Sequence, residues 1–264
     1  MTFMQNPSLK SDSSKNRIRD AAPQARENWT ERIIDATAVG QLDPVEWMVH
    51  AYDSYRAKLS DYTYPCFFGQ TAEQHGEVFY AFTDERLEAL RNVMHTFVRK
   101  VAEPRYSRHS LALFFKPNAA LRTHHDFVER FWSVLTAIRS EDTVSMEPAD
   151  PDHPLWEFAF EGQKMFVVGT SPTYEKRRSR VLGDGMVLLF QPRQLFADPA
   201  TGQPISREVR RRIHGRMLTY DGMSVHPDIG FYGEETNREW KQYVLPDDNE
   251  PSLGGCPFLS KFSP

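Results

Sequence analysis

The sequence predicts an α+β fold, a single domain with a largely antiparallel sheet flanked by helices, over residues 33–264 behind a disordered leader at 1–32. Three observations carry that reading. Apolar residues recur at spacings of three and four in several long segments, which puts them on one face of a helix. Short apolar runs lie between those segments, and they have the length of strands. One pair of runs is joined by Gly162-Gln163, with aromatic and polar residues alternating before it, which reads as a hairpin.

The leader, Met1 to about Arg32, is polar and has no apolar signal core, so it reads as disordered on a cytoplasmic protein. From Pro44 to about Leu59, Val45, Met48, Tyr52 and Tyr55 define a helix face, with Asp43 as its expected N-cap. Tyr64 to Gly69 reads as a turn bounded by Pro and Gly, and Glu77 to Phe82 as a strand rich in aromatic and branched residues. Thr83-Asp-Glu starts a helix carrying Leu87, Leu90, Met94, Phe97 and Val101. Ser110 to Phe115 is an apolar run ended by Pro117, hence a buried strand. Thr123 caps the next helix, whose stripe is Phe127, Phe131, Leu135 and Ile138.

Pro148, Pro151 and Pro154 then enforce an extended linker. In the hairpin, Trp156, Phe158 and Phe160 alternate with Glu157, Ala159 and Glu161, and the return strand is Lys164 to Gly169. Met186 to Phe190 is its expected next neighbour. Ile205 to Leu218 is a helix with Val209, Ile213 and Met217 on one side and its arginines on the other. Beyond it the chain is rich in Gly, Pro, Asp and aromatics, and there is no internal repeat.

Composition narrows the functional classes. A net charge of −4 gives no overall reason to expect nucleic acid, and no apolar run reaches the roughly 18 residues needed to span a bilayer. Cys66 and Cys256 are too far apart to form a CxxC pair, which argues against a structural zinc or a disulfide framework. Neither a phosphate loop nor a dinucleotide fingerprint is present. The most informative stretch is Ser171 to Arg180. Lys176, Arg177, Arg178 and Arg180 sit on a short connection between two expected strands, where planar guanidinium forks suit a carboxylate or phosphate. The alternative is a solvated basic turn, or internal ion pairs.

Seven segments around that loop carry a family resemblance. They are Tyr64-Pro-Cys-Phe-Phe-Gly69, Phe131-Trp132, Trp156-Glu-Phe-Ala-Phe160, Phe190-Gln-Pro-Arg193, His226-Pro-Asp-Ile-Gly-Phe-Tyr-Gly233, Glu239-Trp-Lys-Gln-Tyr243 and Cys256-Pro-Phe258. In this order, from about Pro44 to Phe258, the chain resembles the YqcI/YcgG-like family. That resemblance implies a haem-dependent monooxygenase (haem b, iron) that hydroxylates an amine or guanidine nitrogen of a small metabolite in a biosynthetic pathway. It implies O2 or peroxide and an electron donor as partners. In one respect the chain departs from the pattern: Tyr174 stands where the family is expected to carry a His before the arginines.

Haem needs an apolar slot, cations for its propionates and an axial ligand. Arg177, Arg178 and Arg180 are the propionate candidates, and Trp132 and Trp156 the candidate walls, with ordinary core packing as the alternative for both tryptophans. His226 is the first choice of metal ligand, being in a turn-rich aromatic segment; Cys256 and, as a lesser candidate, Cys66 are the thiolate alternatives. Tyr174 is a candidate catalytic residue, as a tyrosinate favoured by neighbouring arginines or as a phenol orienting substrate. Glu129 and Glu239 are the carboxylates expected to receive a cationic substrate. His75, His124 and His125 are expected at the surface. A non-catalytic binder of an anionic metabolite is the rival reading, and a non-haem iron enzyme using the His226-Pro-Asp228 and His124-His-Asp126 spacings is a third.

Overall fold

The computed structural model describes residues 32–36, 38–39, 45–84, 87–140, 142–197 and 206–258. The expected leader, apart from Arg32, and the expected cap Asp43 lie outside the described residues. The architecture is α+β. Strands β1 (Val78–Thr83), β2 (Ser110–Phe115), β3 (Ala159–Phe160), β4 (Gln163–Thr170) and β5 (Val187–Pro192) form one sheet in the order β1-β2-β5-β4-β3. β1 and β2 are parallel, with the helix α3 (Leu87–Val101) between them in sequence, and the other three pairings are antiparallel.

Both faces of the sheet are covered, which explains why β1 and β2 read as unbroken apolar runs rather than alternating ones. On one face, Leu90, Val93, Met94 and Phe97 of α3 and Phe127, Phe131, Leu135 and Ile138 of α4 (His124–Arg139) meet Phe79, Leu111, Leu113, Val167, Leu188 and Phe190. On the other, Met48, Tyr52, Tyr55 and Leu59 of α1 (Glu46–Ser60) pack on Val78, Tyr80, Phe82, Ala112 and Phe114. Each such side chain contributes about 1.5–3 kcal/mol when fully buried. α4 begins where the sequence places it, since Thr123 and Asp126 close a reciprocal capping box.

Two local expectations are corrected. Tyr64 to Gly69 is not only a turn: helix α2 (Phe67–His75) begins within it, because the Cys66 sulfur accepts from the Gly69 amide and supplies the N-cap. The hairpin turn is Glu161-Gly162, both left-handed (φ 49° and 79°), and β3 has only two residues. The segment Trp156 to Phe160 is buried throughout, so Glu157 does not alternate out to solvent.

Helix α5 (Arg207–Asp221) is capped by Ser206 and ends at the left-handed Gly222. None of its residues is buried, although it carries an apolar stripe. Its C-terminal end is tied down: Asp221 accepts from the Ser179 amide and hydroxyl at 2.7 Å each, and Arg216 donates to the Tyr62 carbonyl at 2.7 Å. Among the described residues no helix is long and apolar enough to cross a membrane.

Candidate active site

Between the second sheet face, α2, α5 and the C-terminal tail lies a cavity of about 260 Å³. Its floor is Val78, Ser110, Phe166, Val168, Leu189 and Gln191, residues whose period of two directs them to the same side of the sheet. Over β4 and β5 the cover is α5, which presents Arg210, Ile213, His214 and Met217. Those positions are spaced i, i+3, i+4, i+7, the pattern of one helical face. The sequence reading found Ile213 and Met217 but assigned the arginines to the opposite side; Arg210 lies on the inner stripe.

His214 is half-buried, with its ring stacked on Phe231 at a centroid distance of 6.3 Å. Burial, and then the charge of Arg210, push its pKa below the ordinary imidazole value, so the ring is neutral and carries a free lone pair at pH 7. Cys66 also lines the cavity, and burial pushes its thiol above the usual range. A protonated thiol is a poor ligand.

The most polar part of the wall is a buried charge cluster. Arg193 donates from Nε to Glu157 Oε2 at 2.8 Å, and its Nη2 is shared between Glu157 Oε1 and Glu239 Oε1. The other oxygen of Glu239 accepts from Asn237 at 2.9 Å and Gln242 at 3.2 Å. The Arg193 guanidinium lies over the Tyr232 ring, 3.9 Å from its centroid. Glu157 and Glu239 are both about 2% exposed. Burial raises the Glu157 carboxyl to about 7 despite the opposing pull of Arg193, with the nearby Glu239 adding to the rise. Gly230 is required beside this cluster, since a Cβ there would come within 2.5 Å of Asn237 Oδ1. Gly230→Ala is therefore expected to displace Asn237 and loosen Glu239, which thermal melting and a crystal structure of the variant would reveal.

The arginine loop faces elsewhere. Arg177 donates to the carbonyls of Pro246 (2.7 Å) and Asp248 (2.6 Å) and to Asn249 Oδ1 (2.6 Å). The Asp247 carboxylate accepts the amides of Glu175, Lys176 and Arg177. Arg178 is exposed and donates to the Tyr220 carbonyl. Arg180 lines the cavity, but its terminal nitrogens donate to the carbonyls of Gly169, Gln242 and Tyr243. In this arrangement the loop is a clamp for the tail. Arg177→Ala is expected to cost about 3 kcal/mol, because it removes a buried side chain together with three hydrogen bonds that hold the tail, whereas Arg178→Ala, at an exposed position, should cost under about 1 kcal/mol. Denaturant unfolding of the two variants checks the difference.

The remaining candidates are placed as follows. Both ring nitrogens of the buried His226 are engaged: Nδ1 accepts from the Asp228 amide and Nε2 donates to the Glu250 carbonyl, each at 3.1 Å. It is outside the cavity lining. Cys256, Trp132 and Trp156 belong to the core on the opposite sheet face, with Tyr243 and Phe258. Tyr174 is buried and donates to the Leu245 carbonyl at 2.8 Å. Burial raises its phenol and outweighs Arg180 and Arg177, so of the two expected forms, tyrosinate and phenol, the surroundings favour the phenol. Glu129 is exposed and pairs with His125 at 3.5 Å. His75 and His125 are at or near the surface, whereas His124 is half-buried against Tyr174. In the His-x-Asp spacings, Asp126 caps α4 and Asp228 accepts the Ser252 amide, and no cluster of metal-ligating residues occurs among the described residues.

Four of the seven segments noted in the sequence meet at this one cavity, through Tyr64 to Gly69, Gln191 and Arg193, Ile229 to Tyr232, and Glu239 with Gln242. The YqcI/YcgG family model matches residues 55–259. The uncharacterized proteins YcgG and YqcI of Bacillus subtilis (strain 168) are 33% and 31% identical to the chain, each match covering 81% of it and 88% of the relative. A Streptomyces lavendulae protein provisionally named N(omega)-hydroxy-L-arginine synthase DcsA is 29% identical, covering 80% of this chain and 84% of its own. No solved structure gives a significant match. With the family model spanning most of its length and two relatives above 30% identity, the chain belongs to the YqcI/YcgG family.

Proposed function

We propose that the chain is an N-hydroxylase acting in this cavity on an amine or guanidine nitrogen of a small, amino-acid-like metabolite, with haem as its cofactor. The observation that carries the reading is the pairing of a neutral, unengaged imidazole with a buried carboxylate on the walls of one apolar cavity. The name of the Streptomyces relative supports the substrate class.

The donor set suits the cofactor. His214 would hold the iron, Phe166, Val168, Leu189, Phe196, Ile213 and Met217 would wall the macrocycle, and Arg210 would be the cation for a carboxylate side arm. When bound, haem supplies the oxygen activation that no side chain here can perform. The chain does the rest. Its apolar walls exclude water, and Glu239 faces the space where a cationic nitrogen enters.

At about 260 Å³ the cavity falls below the range of roughly 300–1,000 Å³ usual for small-molecule sites. Room for haem and substrate together comes from α5, none of whose residues is buried. Hemin titration tests the reading. One saturable Soret transition per chain, with thermal stabilisation, is the expected result; no transition removes haem from the proposal. Amide hydrogen exchange should also slow along α5 when hemin binds, because the ligand completes the packing of its apolar stripe.

A further inference from the structure

We infer that the Glu157–Arg193–Glu239 cluster is a proton-coupled receptor for the substrate's cationic nitrogen, with a proton on Glu157 in the empty site that departs to solvent when the cation enters. The inference rests on the amine or guanidine reading above and adds a residue-level receptor and its regulation.

The cluster holds two carboxylates and one guanidinium, all packed together, and both carboxylates are about 2% exposed. Fully ionised, it would carry one negative charge without a partner in a poorly solvated site, which is costly. Either a proton or a bound cation removes that charge. Other groups near the cluster do not pair with it closely. Lys164 acts on Glu157 from a distance, Arg210 influences Glu239 but makes no ion pair with it, and Tyr232 and Tyr243 are neutral phenols raised by burial.

Geometry assigns different tasks to the two acids. Glu239 lines the cavity, so its carboxylate can meet an incoming cation. Glu157 is not on the lining; it grips Arg193 with both oxygens and so communicates with the cavity only through that guanidinium. Protonation of Glu157 weakens its pull on Arg193 and frees Arg193 to neutralise Glu239. Ionisation of Glu157 draws Arg193 back and leaves Glu239 with uncompensated charge for a substrate. Glu157 is thus a positioning residue, and Glu239 a substrate contact.

The overall event balances in atoms and charge: cation plus protonated site gives the complex plus one solvated proton. Affinity for a permanent cation should therefore fall about tenfold per pH unit below 7 and level off above it. The Glu157 carboxyl, held up to about 7 by burial, puts that window near neutrality.

Isothermal titration of L-arginine into the full chain, with and without hemin, in two buffers of different ionisation heat, tests the inference. Agmatine and L-lysine extend the cation series, and L-citrulline is the neutral control. The expected result is cation binding that releases close to one proton at pH 6 and little at pH 8. Glu157→Gln, a neutral mimic of the protonated acid, should weaken L-arginine at pH 8 toward its acid-side affinity and abolish both proton release and the pH dependence. Glu239→Gln, nearly identical in shape, should weaken L-arginine by about tenfold or more at pH 8 with the fold intact by thermal melting. Equal affinity for L-citrulline, proton release that survives Glu157→Gln, or no binding by any of the three cations would overturn the receptor. None of those outcomes touches the haem spectrum, so failure of the receptor and failure of the cofactor reading remain distinguishable.

Discussion

His214→Ala should abolish saturable hemin binding, or convert the Soret spectrum to that of a weakly held, heterogeneous complex. The reason is structural: His214 lines the cavity with a neutral ring, while His226, the imidazole that the sequence singles out as ligand, already has both ring nitrogens hydrogen-bonded. His226→Ala should leave the spectrum of the loaded protein unchanged and lower stability instead. Cys256→Ala should likewise preserve the spectrum, because that residue packs in the core on the other side of the sheet. A spectrum that survives His214→Ala but shifts in Cys66→Ala would transfer the ligand to the thiol that lines the same cavity.

Arg193→Met should be the most destabilising single change at the site. It leaves two buried carboxylates facing each other, and removing one partner of a buried ion pair typically costs about 3–5 kcal/mol. Arg193 keeps some exposure, so the lower end, about 3 kcal/mol, is expected. The cost has a pH signature. Without the guanidinium, burial still holds the Glu157 carboxyl above the unfolded value of about 4.3, so the folded variant binds its proton more tightly than the unfolded chain. Its stability should consequently decline as pH rises from about 5 to 8, and the deficit against the parent should be smallest in acid. Denaturant midpoints for parent and variant at pH 5 and 8 check both sign and size. A deficit that is independent of pH would mean that the lost packing of Arg193 on Tyr232, rather than its charge, dominates.

Local signals in the sequence were sufficient for most of the fold. Thr123 with Asp126 announces α4, and the unbroken runs of β1 and β2 announce strands buried on both faces. Helix α2 escaped because Pro65 and Gly69 bracket its start like a turn, and the sulfur of Cys66 is an unusual cap. The arginine loop shows the limit most clearly. Its cations are visible in sequence, but the acceptors that engage them, Pro246, Asp248 and Asn249, lie about seventy residues downstream. No local pattern links the two.

The site was partly legible for the same reason. The segments that converge on the cavity, including Arg193, Tyr64 and Glu239, were all noted in the sequence, yet nothing local says which sheet face they share. His214 sits in an arginine-rich helix that reads as a solvated surface. Only the stripe 210, 213, 214, 217 betrays it, and that stripe gains meaning once the floor of the cavity is known.

Hydroxylation of a nitrogen in this cavity underlies the expectations above. High-resolution mass detection of products from the hemin-loaded chain, supplied with O2 and a reductant or with peroxide, and with L-arginine, L-lysine and agmatine, tests it most directly. The expected product is one oxygen atom heavier with the oxygen on nitrogen, formed only with hemin and lost in both His214→Ala and Glu239→Gln. A hemin-loaded chain that gives no oxygenated product from any of the three, or gives it undiminished in both variants, would contradict the account.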